Sequence, residues 1–220
     1  MTVAAIPAAP LLLAKPDFWL KAKRELARSD PVMAKIIRAY PRVSLQRRGE
    51  PFYTLARSIV GQQISVKAAQ SIWDRVAALA PQMQPAQILA LRARSRRLRA
   101  AGLSERKVEY IVDLARHFSD GTIHPYRWGE MADEDVIDEL VQVRGIGRWT
   151  AEMFLMFNLL RPDVFPVADL GLQKAVHLHY YDDRRIPLAQ LREHGEAWRP
   201  WRSVATWYLW RSLDPVPVEY

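Results

Sequence analysis

The chain contains no cysteine. That absence excludes disulfides, cysteine nucleophiles, iron–sulfur clusters and cysteine-based zinc sites together, and it suits a cytoplasmic location. No apolar run approaches the length of a membrane span, so no membrane partner is expected. The first residues, Met1 to Lys15, are rich in alanine and proline but lack a basic start. They do not read as a signal peptide, and residues 1–16 are expected to be a flexible lead-in. No segment alternates apolar and polar residues with period two, and no Asn-Gly hairpin turn occurs.

What the chain does contain is apolar surface and positive charge. Half of its 220 residues are hydrophobic, enough for a real core in one large domain or two small lobes. The net charge is +8 and the isoelectric point is near 9.9. Such a balance favours a polyanionic partner, of which nucleic acid is the commonest soluble one. Charge alone leaves open a basic protein with no such partner.

Helical periodicity runs almost throughout. Asp30-Pro31 supplies an N-cap and a first-turn proline, and Pro51 opens a second helix. Ser65 can cap a run through Ala80, with Val66, Ala69, Ile72, Trp73 and Val76 on one face. Ser104 can cap a run through Phe118, and Asp133 precedes an apolar stripe of Val136, Ile137, Leu140 and Val141. These signals predict about ten helices with short connections, hence an all-α fold. Five arginines between Arg92 and Arg99 read as a solvated helix face, with phosphate contact the lesser alternative. His177 and His179 lie two apart on a predicted helix, so they do not share a face and point to packing rather than a metal.

The most informative segment is Leu140-Val-Gln-Val-Arg-Gly-Ile-Gly-Arg-Trp-Thr-Ala151. One amphipathic helix ends at a Gly-Ile-Gly turn and another begins at once. Two glycines permit a tight turn and close approach of a ligand. The amides that follow lie at a helix N-terminus, which favours an anion such as phosphate. Ile146 can plug the groove between the helices. A lone Gly-x-Gly also serves simple packing.

In context, the segment resembles the helix-hairpin-helix of the DNA glycosylase superfamily. Phe165-Pro-Val-Ala-Asp169 resembles that superfamily's Gly/Pro-rich loop with its essential aspartate, twenty residues after Trp149. Ile59-Val-Gly-Gln-Gln-Ile-Ser65, Gly102-Leu-Ser-Glu-Arg-Lys107 and Trp198-Arg-Pro-Trp-Arg-Ser203 through Tyr208-Leu-Trp210 are similar to the 3-methyladenine DNA glycosylase II branch. The resemblance covers residues 17–212 and implies two helical lobes with the active-site cleft between them. The glycosylase domain would span 17–220, with the hairpin at about 136–159. The chain resembles a compact form without the N-terminal β-rich domain of the longest members.

The resemblance implies a monofunctional N-glycosylase. Such an enzyme flips an alkylated base out of double-stranded DNA and cuts its bond to the sugar. Asp169 becomes the catalytic carboxylate; by itself it reads as a helix N-cap. Trp149 occupies the place where bifunctional members carry a Schiff-base lysine, which leaves an abasic site as the product. Trp149, Trp210, Met153 and Leu170 are assigned to the base pocket, with core packing the alternative for Met153 and Leu170. Gln62, Gln63, Ile64 and Ser65 form the loop that fills the gap left by the base. Gln63 is the expected wedge and Ile64 its rival; an ordinary polar turn is the plain alternative. Gly145, Ile146, Gly147, Arg148 and Thr150 are assigned to the DNA backbone. The main-chain carbonyls of Val141, Val143 and Gly145 are assigned to a structural Na⁺ or K⁺; no cofactor is expected for the chemistry. Trp201 and Arg202 are expected to be structural, with the arginine tying helix ends beneath the pocket. One subunit suffices to straddle one lesion, so a monomer is expected, cytoplasmic, of bacterial type and nucleoid-associated. A non-catalytic helix-hairpin-helix module and a bifunctional glycosylase/lyase are the competing readings.

Overall fold

The structure, a computed structural model, describes residues 15–42, 44–92 and 95–214. Most of the expected lead-in, Arg94 and the last six residues lie outside them. The described residues form helices joined by turns and contain no strand. The all-α expectation therefore holds.

Several boundaries follow directly from local chemistry. Helix α1 spans Trp19–Ser29 and α2 spans Pro31–Ala39. Between them, Asp30 accepts from the amides of Val32 and Met33 (2.8 and 2.9 Å) with Pro31 in the first turn. Helix α3 (Pro51–Gly61) also opens on its proline. Ser65 caps α4 (Val66–Leu79) through the Ala68 amide, and Ser104 caps α7 (Glu105–Asp120) through the Lys107 amide.

Twelve helices are present among the described residues, where the periodicity suggested about ten. The basic stretch is divided between α5 (Pro85–Arg92) and α6 (Ser95–Ala100). Leu91 and Leu98 are buried, while Arg92, Arg96, Arg97 and Arg99 stay exposed as a solvated face. Val66 departs from the expected apolar face of α4: it is 57% exposed at the helix start, and burial begins with Trp73 and Val76.

The remaining helices are α8 (Asp133–Leu140), α9 (Arg148–Phe157), α10 (Leu170–Tyr180), α11 (Leu188–Glu196) and α12 (Arg202–Leu213). Packing divides into two groups. The N-terminal α1 and α2 pack with the C-terminal α12, which in turn packs on α10; α3 to α7 pack among themselves. The α8–α9 pair joins the second group through α3. One hydrophobic cluster runs through both groups, anchored by the fully buried Trp19, Trp128, Trp198 and Tyr208.

Arg202 lies where the sequence placed it. Its guanidinium pairs with Asp163 (2.8 Å) and Glu196 (3.1 Å), tying the loop before α10 to the ends of α11 and α12. Trp201 stacks on Phe18 and donates its indole N–H to Glu25. His177 is buried and accepts from the Ile186 amide, and His179 pairs with Ser212. Among the described residues, no cluster of three or more His, Cys, Asp or Glu could hold a metal, and no helix is long and apolar enough to cross a membrane.

Candidate active site

The loop Phe165-Pro166-Val167-Ala168 leads into Asp169, which caps α10. Oδ1 of Asp169 accepts from the Leu172 amide (2.7 Å), which makes it an N-cap as the sequence suggested. Two indoles complete its coordination. Trp149 Nε1 donates to Oδ2 at 2.9 Å, and Trp210 Nε1 donates to Oδ1 at 2.8 Å. The carboxylate is 9% exposed and receives three N–H donors. Hydrogen bonds to a charged group are the strong ones, so Asp169 is fixed in direction as well as place.

This geometry gives the tryptophans a task that spacing does not reveal: their N–H edges orient the carboxylate. Trp210 also stacks on Phe157 (ring centroids 6.1 Å apart, planes 13° apart), and the Arg48 guanidinium lies 4.4 Å from the other ring's centroid, that of Phe157. Gly171 allows the close approach. A Cβ there would stand 3.1 Å from Asp169 Oδ1 and 3.2 Å from the Trp210 ring. Met153 packs in the core, whereas Leu170 stands 78% exposed at the first position of α10.

The hairpin turn lies between α8 and α9. Val143 and Ile146 are buried, so Ile146 is the expected plug and offers DNA no surface of its own. Gly145 has φ +83°, and a side chain there would overlap the Tyr110 ring. Gly147 is the N-cap of α9 and has no side chain to cap the first-turn amides; an added Cβ would meet nothing within 4 Å. The turn is thus closed on the protein side at Gly145 and open outward at Gly147. Open first-turn amides at the positive end of a helix suit a phosphate.

Thr150 is 6% exposed, because every residue of α9 from Thr150 onward is buried, so its side chain presents little surface outward. Arg148 is exposed, but its guanidinium forks onto Glu134 (2.5 and 2.8 Å) and its Nε reaches Glu152 at 3.2 Å. An exposed ion pair of this kind contributes little, so a phosphate can compete for the arginine. Glu152 itself is buried beneath it, and burial pushes its carboxyl pKa up.

The loop after α3 carries Gln62, Gln63, Ile64 and Ser65. Gln63 is exposed with φ +60°, and Ile64 and Val66 beside it are exposed apolar side chains. The Gln62 amide donates to the Gly145 carbonyl at 2.8 Å. Lys107 donates to the carbonyls of Val60 and Gln62, both at 2.7 Å. Sequence reasoning singled out Lys107 only as part of a motif, and Phe157 and Arg48 not at all; nothing in spacing marks a contact between distant helices. Of the three carbonyls assigned to a monovalent cation, that of Gly145 accepts from Gln62 and that of Val143 from the Ile146 amide. Each oxygen keeps a second lone pair, so this set of hard oxygens still suits such an ion.

A helix-hairpin-helix beside a buried, N-capping aspartate gripped by two indoles defines the class: the helix-hairpin-helix proteins that work on damaged DNA. The chain belongs to the HhH-GPD superfamily of base excision DNA repair proteins, whose pattern matches residues 56–200. It is 41% identical over 117 residues to a putative DNA-3-methyladenine glycosylase, YfjP, of Bacillus subtilis, a match spanning 53% of this chain and 41% of that relative. A crystal structure of DNA-3-methyladenine glycosidase from Bacillus halodurans superimposes with a TM-score of 0.80 at 36% identity, covering 88% of this chain and 89% of the other. The Schizosaccharomyces pombe 3-methyladenine DNA glycosylase in complex with abasic DNA gives a TM-score of 0.73 at 31% identity, covering 87% and 96%.

Proposed function

We propose that this protein is a monofunctional DNA glycosylase that excises alkylated bases in base excision repair. The observation that carries the reading is the Asp169 carboxylate, held at the N-terminus of α10 by Trp149, Trp210 and the Leu172 amide. The names of its relatives, and the abasic DNA bound by the S. pombe enzyme, support it.

The chemistry follows from the bond to be cut. A purine alkylated at a ring nitrogen is cationic and leaves readily once it is held outside the stack, an extrusion that costs a few kcal/mol. As it leaves, positive charge develops on the sugar. A fixed carboxylate beside that sugar stabilises the charge and orients the attacking water, as carboxylates do in sugar hydrolysis. Three preset donors mean that Asp169 needs no reorganisation at that moment. The indoles of Trp149 and Trp210, both half-buried beside the carboxylate, favour a cationic base over a neutral one.

The hairpin grips backbone rather than sequence. Gly147 leaves room for a phosphate at the start of α9, and Na⁺ or K⁺ held by the carbonyls of Val141, Val143 and Gly145 would strengthen that grip. Gln63 projects from the exposed loop tip as the wedge, flanked by the apolar Ile64. One subunit suffices for one lesion in double-stranded DNA, so the protein acts as a monomer in the cytoplasm.

The experiment that isolates the monofunctional reading is borohydride trapping. Position 149 is tryptophan and cannot form a Schiff base. With methylated duplex, base release is expected without any covalent protein–DNA band on a denaturing gel. A trapped band that depends on the lesion would establish a lyase instead.

A further inference from the structure

The loop expected to enter the helix is held in an unusual way. Gln63 has φ +60°, a left-handed backbone that is strained for a non-glycine residue. Such a conformation persists only where its surroundings over-determine it. Here they act on the neighbouring residue from two sides. The Gln62 carbonyl, part of the peptide that leads into Gln63, accepts from the Lys107 ammonium at 2.7 Å. The Gln62 side chain donates to the Gly145 carbonyl in the hairpin turn at 2.8 Å.

Lys107 is itself placed with care. Gly102, at φ +105°, turns the chain against Ile72 and Arg75, Leu103 is buried, and Ser104 caps α7 on the Lys107 amide. Lys107 then spans from the first turn of α7 to the carbonyl of Val60 in the last turn of α3 and that of Gln62 just past its end, where a helix favours a cation. Burial of the ammonium pushes its pKa down, so the contact is made against a desolvation cost.

The geometry points to Lys107 as a positioning residue for base extrusion: with Gln62 it clasps the wedge loop to α7 and to the hairpin, so that gripping the backbone and inserting Gln63 occur as the motion of one body. This inference rests on the glycosylase reading. A simple helix cap would support folding but would not distinguish a paired lesion from an unpaired one.

The test compares single-turnover release of 7-methylguanine paired with cytosine and of the same lesion opposite an abasic gap, where extrusion is nearly free. Lys107→Met and Gln62→Ala are expected to slow the paired substrate about tenfold or more, since they weaken the extrusion step. With Lys107→Met the unpaired substrate should stay within about threefold of wild type, and Lys107→Arg should recover part of the loss. A second readout needs no chemistry: fluorescence of 2-aminopurine beside a stable abasic analogue, which wild type should raise by insertion and both variants should not. Equal losses on the two substrates, or none, would overturn the clasp. If a thermal melt shows Lys107→Met unfolded, Lys107→Gln decides by the same comparison of the two substrates. A wild type that raises the fluorescence but releases no base would leave the clasp standing and overturn the glycosylase reading.

Discussion

Asp169→Asn is expected to abolish nearly all base excision while leaving binding to lesion-containing duplex close to wild type. Losing one preorganised charge beside the developing cation costs about a hundredfold or more in rate. Asparagine keeps the shape and remains a good N-cap. It cannot, however, accept at both ends. Trp149 donates to one oxygen of Asp169, and Trp210 and Leu172 donate to the other. The amide NH₂ must face one of those donors, and a buried donor left unmatched costs about 1–3 kcal/mol. A melting point a few degrees lower is therefore expected beside the catalytic loss. Single-turnover excision, fluorescence anisotropy and a thermal melt on the same preparation separate the three effects. A rate within a few-fold of wild type would remove Asp169 from the chemistry.

The two hairpin glycines should fail in opposite ways. Gly145→Ala puts a side chain onto backbone at φ +83° and into the Tyr110 ring. Left-handed strain of about 1–2 kcal/mol and overpacking of about 1–3 kcal/mol add. At roughly 2–4 °C per kcal/mol for a chain of this size, the melt should fall by on the order of 10 °C. A Cβ added at Gly147 meets no protein atom within 4 Å, so Gly147→Leu should move the melt by no more than about 4 °C, the worth of a weakened N-cap. Its side chain instead occupies the phosphate's approach. Binding should weaken about tenfold, the scale of one hydrogen bond to a charged group. Undamaged and lesion duplex should lose alike, because the contact carries no sequence information. A folded Gly147→Leu that binds both as wild type does would remove the turn from the DNA interface.

Local chemistry was legible in the sequence because it depends on neighbours along the chain. Asp30-Pro31, Ser65 and Ser104 each mark a helix start that the structure contains, and the hairpin, Ile146 plug and Asp169 cap follow from residues within a few positions of one another. What distant helices do to one another was not legible. Trp149 and Trp210 carry the expected aromatic signal, but only their meeting on Asp169 shows that their N–H edges set the carboxylate. Thr150 was assigned to DNA by its place after the turn, yet α9 is buried all round from that point, which no periodicity reveals. Val66 fits an apolar stripe but precedes the packed part of α4. The pairing of Arg148 with Glu134 and Glu152 is likewise a contact that its place after the turn does not reveal.

The most direct test of the central claim is the reaction of the wild-type protein with duplex DNA treated with a methylating agent. Free bases in the supernatant are separated by chromatography, and the strands are run on a denaturing gel with and without alkali. Release of methylated purines, with strands that stay whole until alkali cuts them at abasic sites, is the result expected. No released base, or strands cut without alkali, would contradict the account.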